Sequence, residues 1–200
     1  MTSVGLRERK RAGTRTRILD SACDLFSLRG VDAVTVDEIA TAADVGKGTV
    51  YNYFAAKEDI VVAYLVALDR LALDRIAALP RPGMSVAEAL DAAAWSLLEE
   101  KPPYAGFVRI ALAQRFLSEQ PSFELAEFDA ELDDVLEALF ERVMARPGMR
   151  RSTPIRELVL SFRTMLLGLM SLWATEGPPY IGARMLTRRH MALLAKGLEL

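Results

Sequence analysis

The feature that most constrains this chain is a helical repeat of apolar residues. From Thr14 almost to the last residue, hydrophobic side chains recur at three- and four-residue intervals, while the strict alternation of a half-buried strand is hard to find. Glycine and proline clusters break the repeat into segments. The pattern predicts an all-α chain of about nine helices, spanning 14–29, 35–43, 47–53, 57–79, 85–100, 104–118, 122–145, 153–175 and 180–198. Two of the starts, Thr35-Val36-Asp37-Glu38 and Ser85-Val86-Ala87-Glu88, fit capping boxes, in which the hydroxyl accepts a free amide and the glutamate reaches back to the cap. Thr153-Pro154 places a cap before a proline in the first turn. On the fourth helix, Ile60, Tyr64, Ala67, Leu68 and Leu71 form the expected inner stripe.

Composition narrows the class. With 52% hydrophobic residues over 200 positions, the chain has ample material for a core, which excludes a disordered protein. The longest uncharged stretch, 164–175, has 12 residues against the roughly 20 that span a bilayer, so no membrane segment is expected. The opening residues have no apolar run behind their positive charge and do not read as a secretory signal. A single cysteine, Cys23, allows no internal disulfide and no cysteine zinc site, which points to a reducing cytoplasm. Against 25 basic residues stand 27 acidic ones, a net of −2, so the surface is not basic all over. The average hides an asymmetry. Residues 1–19 hold six basic side chains and one acid, a local net of +5, whereas 119–141 hold nine acids and no base. The basic arm from Arg7 to Arg17 reads either as a solvated tail or as a segment that becomes ordered on DNA; the acidic stretch reads as a solvated helix face turned away from DNA.

The informative stretch is 35–57, TVDEIATAADVGKGTVYNYFAAK. Two short helices joined by Asp44-Val45-Gly46 have the spacing of a helix-turn-helix, with Val36, Ile39, Ala40, Val45 and Val50 filling the angle between them. The outer face of the second helix then carries Lys47, Thr49, Tyr51, Asn52 and Tyr53, with Gly48 permitting close backbone approach. Lysine and hydroxyls suit phosphates, asparagine pairs with adenine, and threonine or tyrosine touches a thymine methyl. Tyr51 stays open between core and phosphate contact, and Phe54 is expected in the core.

At these residues the sequence resembles the TetR family of bacterial transcriptional regulators. The likeness lies in T-V-x-x-I-A-x-x-A from Thr35, V-x-K-G-T-V-Y-x-Y-F from Val45, K-E-D-I from Lys57 and the preceding F-x-x-x-G from Phe26. Asp44 stands where a glycine is common, and aspartate tolerates turn conformations. The resemblance implies a three-helix DNA-binding domain over 1–56 and a helical ligand-binding and dimerisation domain over 57–200, with 57–79 as the connecting helix. It implies DNA contacts from Thr35, Lys47, Gly48, Thr49, Tyr51, Asn52, Tyr53 and Lys57, with Thr35 and Lys57 holding phosphates at helix starts. It also implies a dimer on a palindromic double-stranded operator, built through helices 153–175 and 180–198, and a small-molecule effector that releases DNA.

Two further readings concern the C-terminal part. The stripe Ile155, Leu158, Val159, Phe162, Met165, Leu166, Leu169, Leu172 and Trp173 is too wide for one core face, and Gly168 permits close approach. The last helix adds Met185, Leu186, Met191, Leu193, Leu194 and Leu198. Trp95, Tyr104, Phe107, Phe116, Phe140, Met165 and Trp173 are candidates to line a pocket for a largely apolar effector, with core packing as the alternative for each, and Arg109 and Arg163 read either as holders of an anionic group or as snorkelling or salt-bridged arginines. No phosphate-cradling glycine loop, cofactor motif or metal-ligand cluster is expected, His190 is expected at a surface position on the basic last helix, and Cys23 has no candidate base nearby in sequence, so the chain does not read as an enzyme. The alternatives are an activator on the same fold and a ligand-sensing dimer whose DNA face is degenerate.

Overall fold

The computed structural model describes residues 3–101, 104–118, 122–149, 152–176 and 182–199. The breaks at Pro102-Pro103, Pro121 and Gly177-Pro178-Pro179, together with Glu119 and Tyr180, lie outside the described residues.

Nine helices form among the described residues: α1 (Ser3–Arg29), α2 (Val36–Ala42), α3 (Lys47–Tyr51), α4 (Lys57–Ala77), α5 (Val86–Leu98), α6 (Ala105–Leu117), α7 (Phe123–Met144), α8 (Ile155–Glu176) and α9 (Ala183–Leu198). The extended pairing among them is one isolated antiparallel bridge between Met149 and Glu199. Both capping boxes form: Thr35 and Ser85 each accept from the amide three residues on, and Glu38 and Glu88 accept from the cap amides at 2.8 Å. Gly30 ends α1 at φ +80°, its amide donating to the Phe26 carbonyl at 2.8 Å, a conformation that disfavours any residue with a Cβ.

Among the helix bounds that depart from the sequence reading, two bear on the site. α1 begins at Ser3 rather than near 14, so the basic segment is helical. Arginine, lysine and alanine favour that state, and local bonds from Arg9 Nε to the Gly5 carbonyl (3.1 Å) and from Thr16 Oγ1 to the Ala12 carbonyl (3.1 Å) reinforce it. α3 ends at Tyr51, with Asn52 as its cap, leaving Asn52 and Tyr53 in the following turn.

The buried side chains fall into two cores. The first joins Ile18, Ala22 and Phe26 of α1 to Ile39, Ala40, Val50 and Phe54, and continues into Phe107 and Val108 of α6 and Trp173 of α8. The second packs α5, α7, α8 and α9 around Leu90, Leu136, Phe140, Phe162 and Met191. α4 belongs to both. Ile60, Val61 and Leu65 face the first core, whereas Val62, Val66, Ala72 and Ile76, on another side of the helix, face the second. A single inner stripe is therefore the wrong description of α4: Ala67 is exposed and Leu71 is 69% exposed, because both fall outside its two buried faces. Residues 155–175 are long and apolar enough to cross a membrane, but Leu158, Phe162, Leu166 and Leu169 of this segment are core residues.

Candidate nucleic-acid interface

The turn between α2 and α3 is set by three residues. Ala43 caps α2, Asp44 adopts φ +53°, and the extended Gly46 opens α3. The left-handed conformation at Asp44 explains why glycine suits that position, and aspartate is among the few other residues that enter it readily. Ile39, Ala40 and Val50 are buried in the angle between the helices, with Val36 and Val45 half-buried at its edge. Phe54 joins this core.

Burying that side of α3 turns the other outward. Lys47, Gly48, Tyr51 and Asn52 are exposed, and Thr49 and Tyr53 are half-buried beside them. Tyr51, 49% exposed, faces out rather than into the core. Nothing lies within 4 Å of the position a Cβ would take on Gly48, so the backbone there is open to close approach. Lys47 Nζ reaches Asp37 at 2.8 Å, and this carboxylate raises the lysine's pKa, keeping it charged. Arg29 braces the motif from behind, donating to Glu38 at 2.6 Å and to the Ala33 carbonyl at 2.6 Å. With the cap amide and hydroxyl of Thr35, that guanidinium lowers the Glu38 pKa to about 2. The Thr35 hydroxyl is thus engaged within its own cap.

Lys57 opens α4, and its ammonium turns back to the loop after α1, where it meets the carbonyls of Val31 (2.8 Å), Asp32 (3.4 Å) and Val34 (3.3 Å) and anchors the start of the helix. The basic arm is helical. It is the first half of α1, with Arg7, Arg9, Lys10 and Arg11 exposed. The Arg11 guanidinium sits 5.8 Å from the Tyr53 ring centre, and that of Arg15 sits 5.2 Å from the Phe54 ring while pairing with Glu124 of α7 at 3.0 Å.

The eight residues expected around an effector do not share one cavity. Tyr104, Phe107, Arg109 and Trp173 stand at the junction of the first core with α6 and α8. There the Tyr64 and Tyr104 hydroxyls hydrogen-bond at 2.9 Å, the Phe26 and Phe107 rings meet edge-on at 6.0 Å, and Arg109 donates to the Ala174 carbonyl at 3.0 Å. A cleft of about 510 Å³ between α1 and α6 borders Tyr104, Phe107 and Arg109. Trp95 lies instead in an outer groove with the Arg184 guanidinium 4.8 Å from its ring. Phe140 is fully buried edge-on against Phe162, and Met165 is half-buried beside the same core. Phe116 is 65% exposed. Its neighbour Arg115 turns inward to Asp129 at 2.8 Å, and adjacent residues of one helix do not share a face.

What sequence reasoning missed is a small cavity of about 60 Å³ inside the second core, ringed by Asp69, Lys101, Arg115, Asp129 and Arg163. Lys101 is only 2% exposed and bonds Asp69 and the Leu97 carbonyl. Burial pushes the Asp69 carboxyl above its ordinary range, against the pull of Lys101. Arg163, open in sequence between holding an anionic group and a salt bridge, is paired with Asp129 (2.9 Å) and Asp133 (2.7 Å). The acidic stretch is likewise no plain solvated face. Arg70 takes Glu127 and Glu131, Arg115 and Arg163 share Asp129, and Arg15 takes Glu124, so cations from α1, α4, α6 and α8 converge on α7.

Burial, aided by Asp20 and Asp24, pushes the Cys23 thiol up to about 12, and the His190 ring bonds the Leu186 carbonyl at 2.8 Å. Among the described residues no group of histidine, cysteine or carboxylate side chains could hold a metal ion.

Comparison with known proteins places the same segment. Residues 18–64 match the family model described as bacterial regulatory proteins, tetR family. The HTH-type transcriptional regulator TcmR of Streptomyces glaucescens is 37% identical over 65 residues, covering 32% of this chain and 29% of TcmR. The HTH-type transcriptional repressor KstR2 of Rhodococcus jostii is 45% identical over 51 residues, covering 26% of this chain and 25% of that protein. The likeness to these curated relatives thus spans less than a third of their length. The fold agrees over far more. FadR of Thermus thermophilus, a TetR-family repressor solved with lauroyl-CoA, superposes at a TM-score of 0.75 and 21% identity, covering 93% of this chain and 95% of its own. A TetR-family regulator from Pectobacterium atrosepticum gives 0.71 at 21% identity over 100% of this chain and 98% of its own.

Proposed function

We propose, on the premise that this chain is a TetR-family helix-turn-helix transcriptional regulator, that it is a cytoplasmic repressor which binds a palindromic operator as a dimer and is released by a largely apolar small molecule. The observation that carries the reading is the outward face of α3, where Lys47, Gly48, Tyr51 and Asn52 stand exposed on a helix whose other side is locked into the core. In this reading α3 enters the major groove. Asn52 and Thr49 meet base edges, Lys47, Tyr51 and Tyr53 meet phosphate and sugar, and Gly48 lets the backbone come close. Thr35 contributes through the exposed start of α2, and Lys57 positions α4.

Two recognition helices must lie about 34–36 Å apart to enter successive major grooves on one DNA face, which calls for two protomers. The outer side of α8 supports a dimer: Leu160, Thr164, Gly168 and Leu172, four residues apart, are all exposed, as are Met185 and Leu193 on α9. Open space beyond Gly168 suits a close crossing with a second copy. Two structural neighbours, FadR of Thermus thermophilus with lauroyl-CoA and FadR of Bacillus subtilis with stearoyl-CoA, support an effector with a long apolar part.

Release follows from α4, which borders both cores. A ligand that binds better to an arrangement with the recognition helices misplaced lowers DNA affinity by the same factor, tenfold for each ~1.4 kcal/mol of coupling. The test is selection from random duplexes with the full chain. An enriched dyad with half-sites about one helical turn apart is expected; a pool without an enriched dyad rejects the reading.

A further inference from the structure

Lys101 stands among the largest fully enclosed side chains and is the one cation buried among the described residues. Its partner Asp69 is 16% exposed and sits on α4, while Lys101 itself follows the end of α5. Stability does not explain this pair, since apolar residues of similar size generally hold helices together as well as a buried ion pair or better. The pair also sits beside a space. The cavity of about 60 Å³ is lined by the charged side chains of Lys101, Asp69, Arg115, Asp129 and Arg163 and by apolar side chains that include Leu97, Phe128 and Leu166. Three cations and two carboxylates line it, and Asp133, outside the lining, pairs with Arg163. The volume admits a small head group and falls well short of the roughly 300–1,000 Å³ that encloses a drug-sized ligand.

We propose that the effector is an apolar molecule ending in a carboxylate, and that its head group takes the Lys101 ammonium from Asp69 while its tail parts the apolar side chains between α7 and α8. This rests on the reading of the chain as a ligand-responsive regulator and adds the chemical class of the ligand. The Leu97 carbonyl, 2.6 Å from Lys101 Nζ, keeps the ammonium aimed at the cavity during the exchange. Arg115 lines the same cavity and offers a second cation to the incoming oxygens. The burial that already raises the Asp69 carboxyl lets it accept a proton from solvent once its partner is gone. Exchange at this point unties α4 from the end of α5, so the ligand acts on the helix that meets both cores.

The test is calorimetric titration of the full chain with three probes of equal tail length: decanoate, decan-1-ol and decylamine. Decanoate is expected to bind at least about tenfold more tightly than decan-1-ol, and decylamine more weakly than either. A double variant, Asp69→Leu with Lys101→Met, removes both charges together and is checked for folding by circular dichroism. It is expected to bind decanoate no better than decan-1-ol. Asp69→Asn, which frees Lys101 from its ion pair, is expected to bind decanoate more tightly than the unaltered chain and decides the question if the double variant does not fold. Equal affinity for decanoate and decan-1-ol, preference for decylamine, an undiminished decanoate preference in the folded double variant, or weaker decanoate binding by Asp69→Asn would each overturn the proposal. Decanoate preference in a chain that selects no DNA dyad leaves this site standing and rejects the regulator reading.

Discussion

The α3 surface and the second core each hold a lysine paired with an aspartate, and the two pairs differ in almost everything but chemistry. Lys47 and Asp37 are 51% and 66% exposed, whereas Lys101 and Asp69 are 2% and 16% exposed. An exposed pair contributes about 0–1 kcal/mol, so Lys47 can leave Asp37 for a phosphate at little cost. A buried pair is different: removing one partner strands the other charge away from water, at about 3–5 kcal/mol. The first arrangement leaves a charge available at the surface, and the second ties α4 to the end of α5.

The largest effect that sharpens this contrast is expected from Lys101→Met alone. Denaturant unfolding should show a loss of about 3–5 kcal/mol, most of it recovered when Asp69→Leu is added, while Asp37→Asn should change stability by less than about 1 kcal/mol. Equal losses at the two sites would break the comparison. Next comes removal of residues 1–11, which deletes Arg7, Arg9, Lys10 and Arg11 from the exposed half of α1. DNA binding should weaken across all sequences and the salt dependence should flatten; an unchanged slope would remove the arm from the interface. Lys47→Ala should weaken binding to every duplex and reduce the salt slope by about one, whereas Asp37→Asn should tighten binding, because Lys47 loses its competitor. The smallest effect is expected from Glu38→Gln. Because folding lowers the Glu38 pKa to about 2 from 4.5, its contribution is fully present above about pH 4.5 and is lost as pH falls toward 2. The melting-temperature gap between the unaltered chain and Glu38→Gln should therefore be constant near neutrality and close on acidification.

The helix-turn-helix was readable because what defines it is local. Thr35 and Glu38, three residues apart, make the cap; Asp44 and Gly46 make the turn; and the spacing of Ile39, Ala40 and Val50 fixes which side of each helix is buried. The bundle interior was not readable, because its determinants are separated by tens of residues. Lys101 meets Asp69 across 32 positions and Arg163 meets Asp133 across 30, and no helical wheel contains either pair. Lys101 precedes two prolines at a helix end, a setting that reads as surface. At 115 and 116 the rule that aromatic residues go in and arginines go out is inverted, since Asp129 on another helix gives Arg115 a partner and leaves Phe116 outside. The contacts of Lys57 were hidden for a related reason: its sequence neighbours do not reveal the three carbonyls that the loop after α1 brings to its ammonium.

The central claim is that the outer face of α3 reads DNA sequence, and the most direct measurement is fluorescence anisotropy on the selected dyad and on a set of duplexes with one base pair changed in each half-site. The unaltered chain should discriminate at several positions. Asn52→Ala should lose about 1–3 kcal/mol on the dyad and become indifferent to the base pair at one position per half-site, with discrimination elsewhere retained. If Asn52→Ala binds all the duplexes with the same preferences as the unaltered chain, Asn52 reads no base and the claim in this form is wrong.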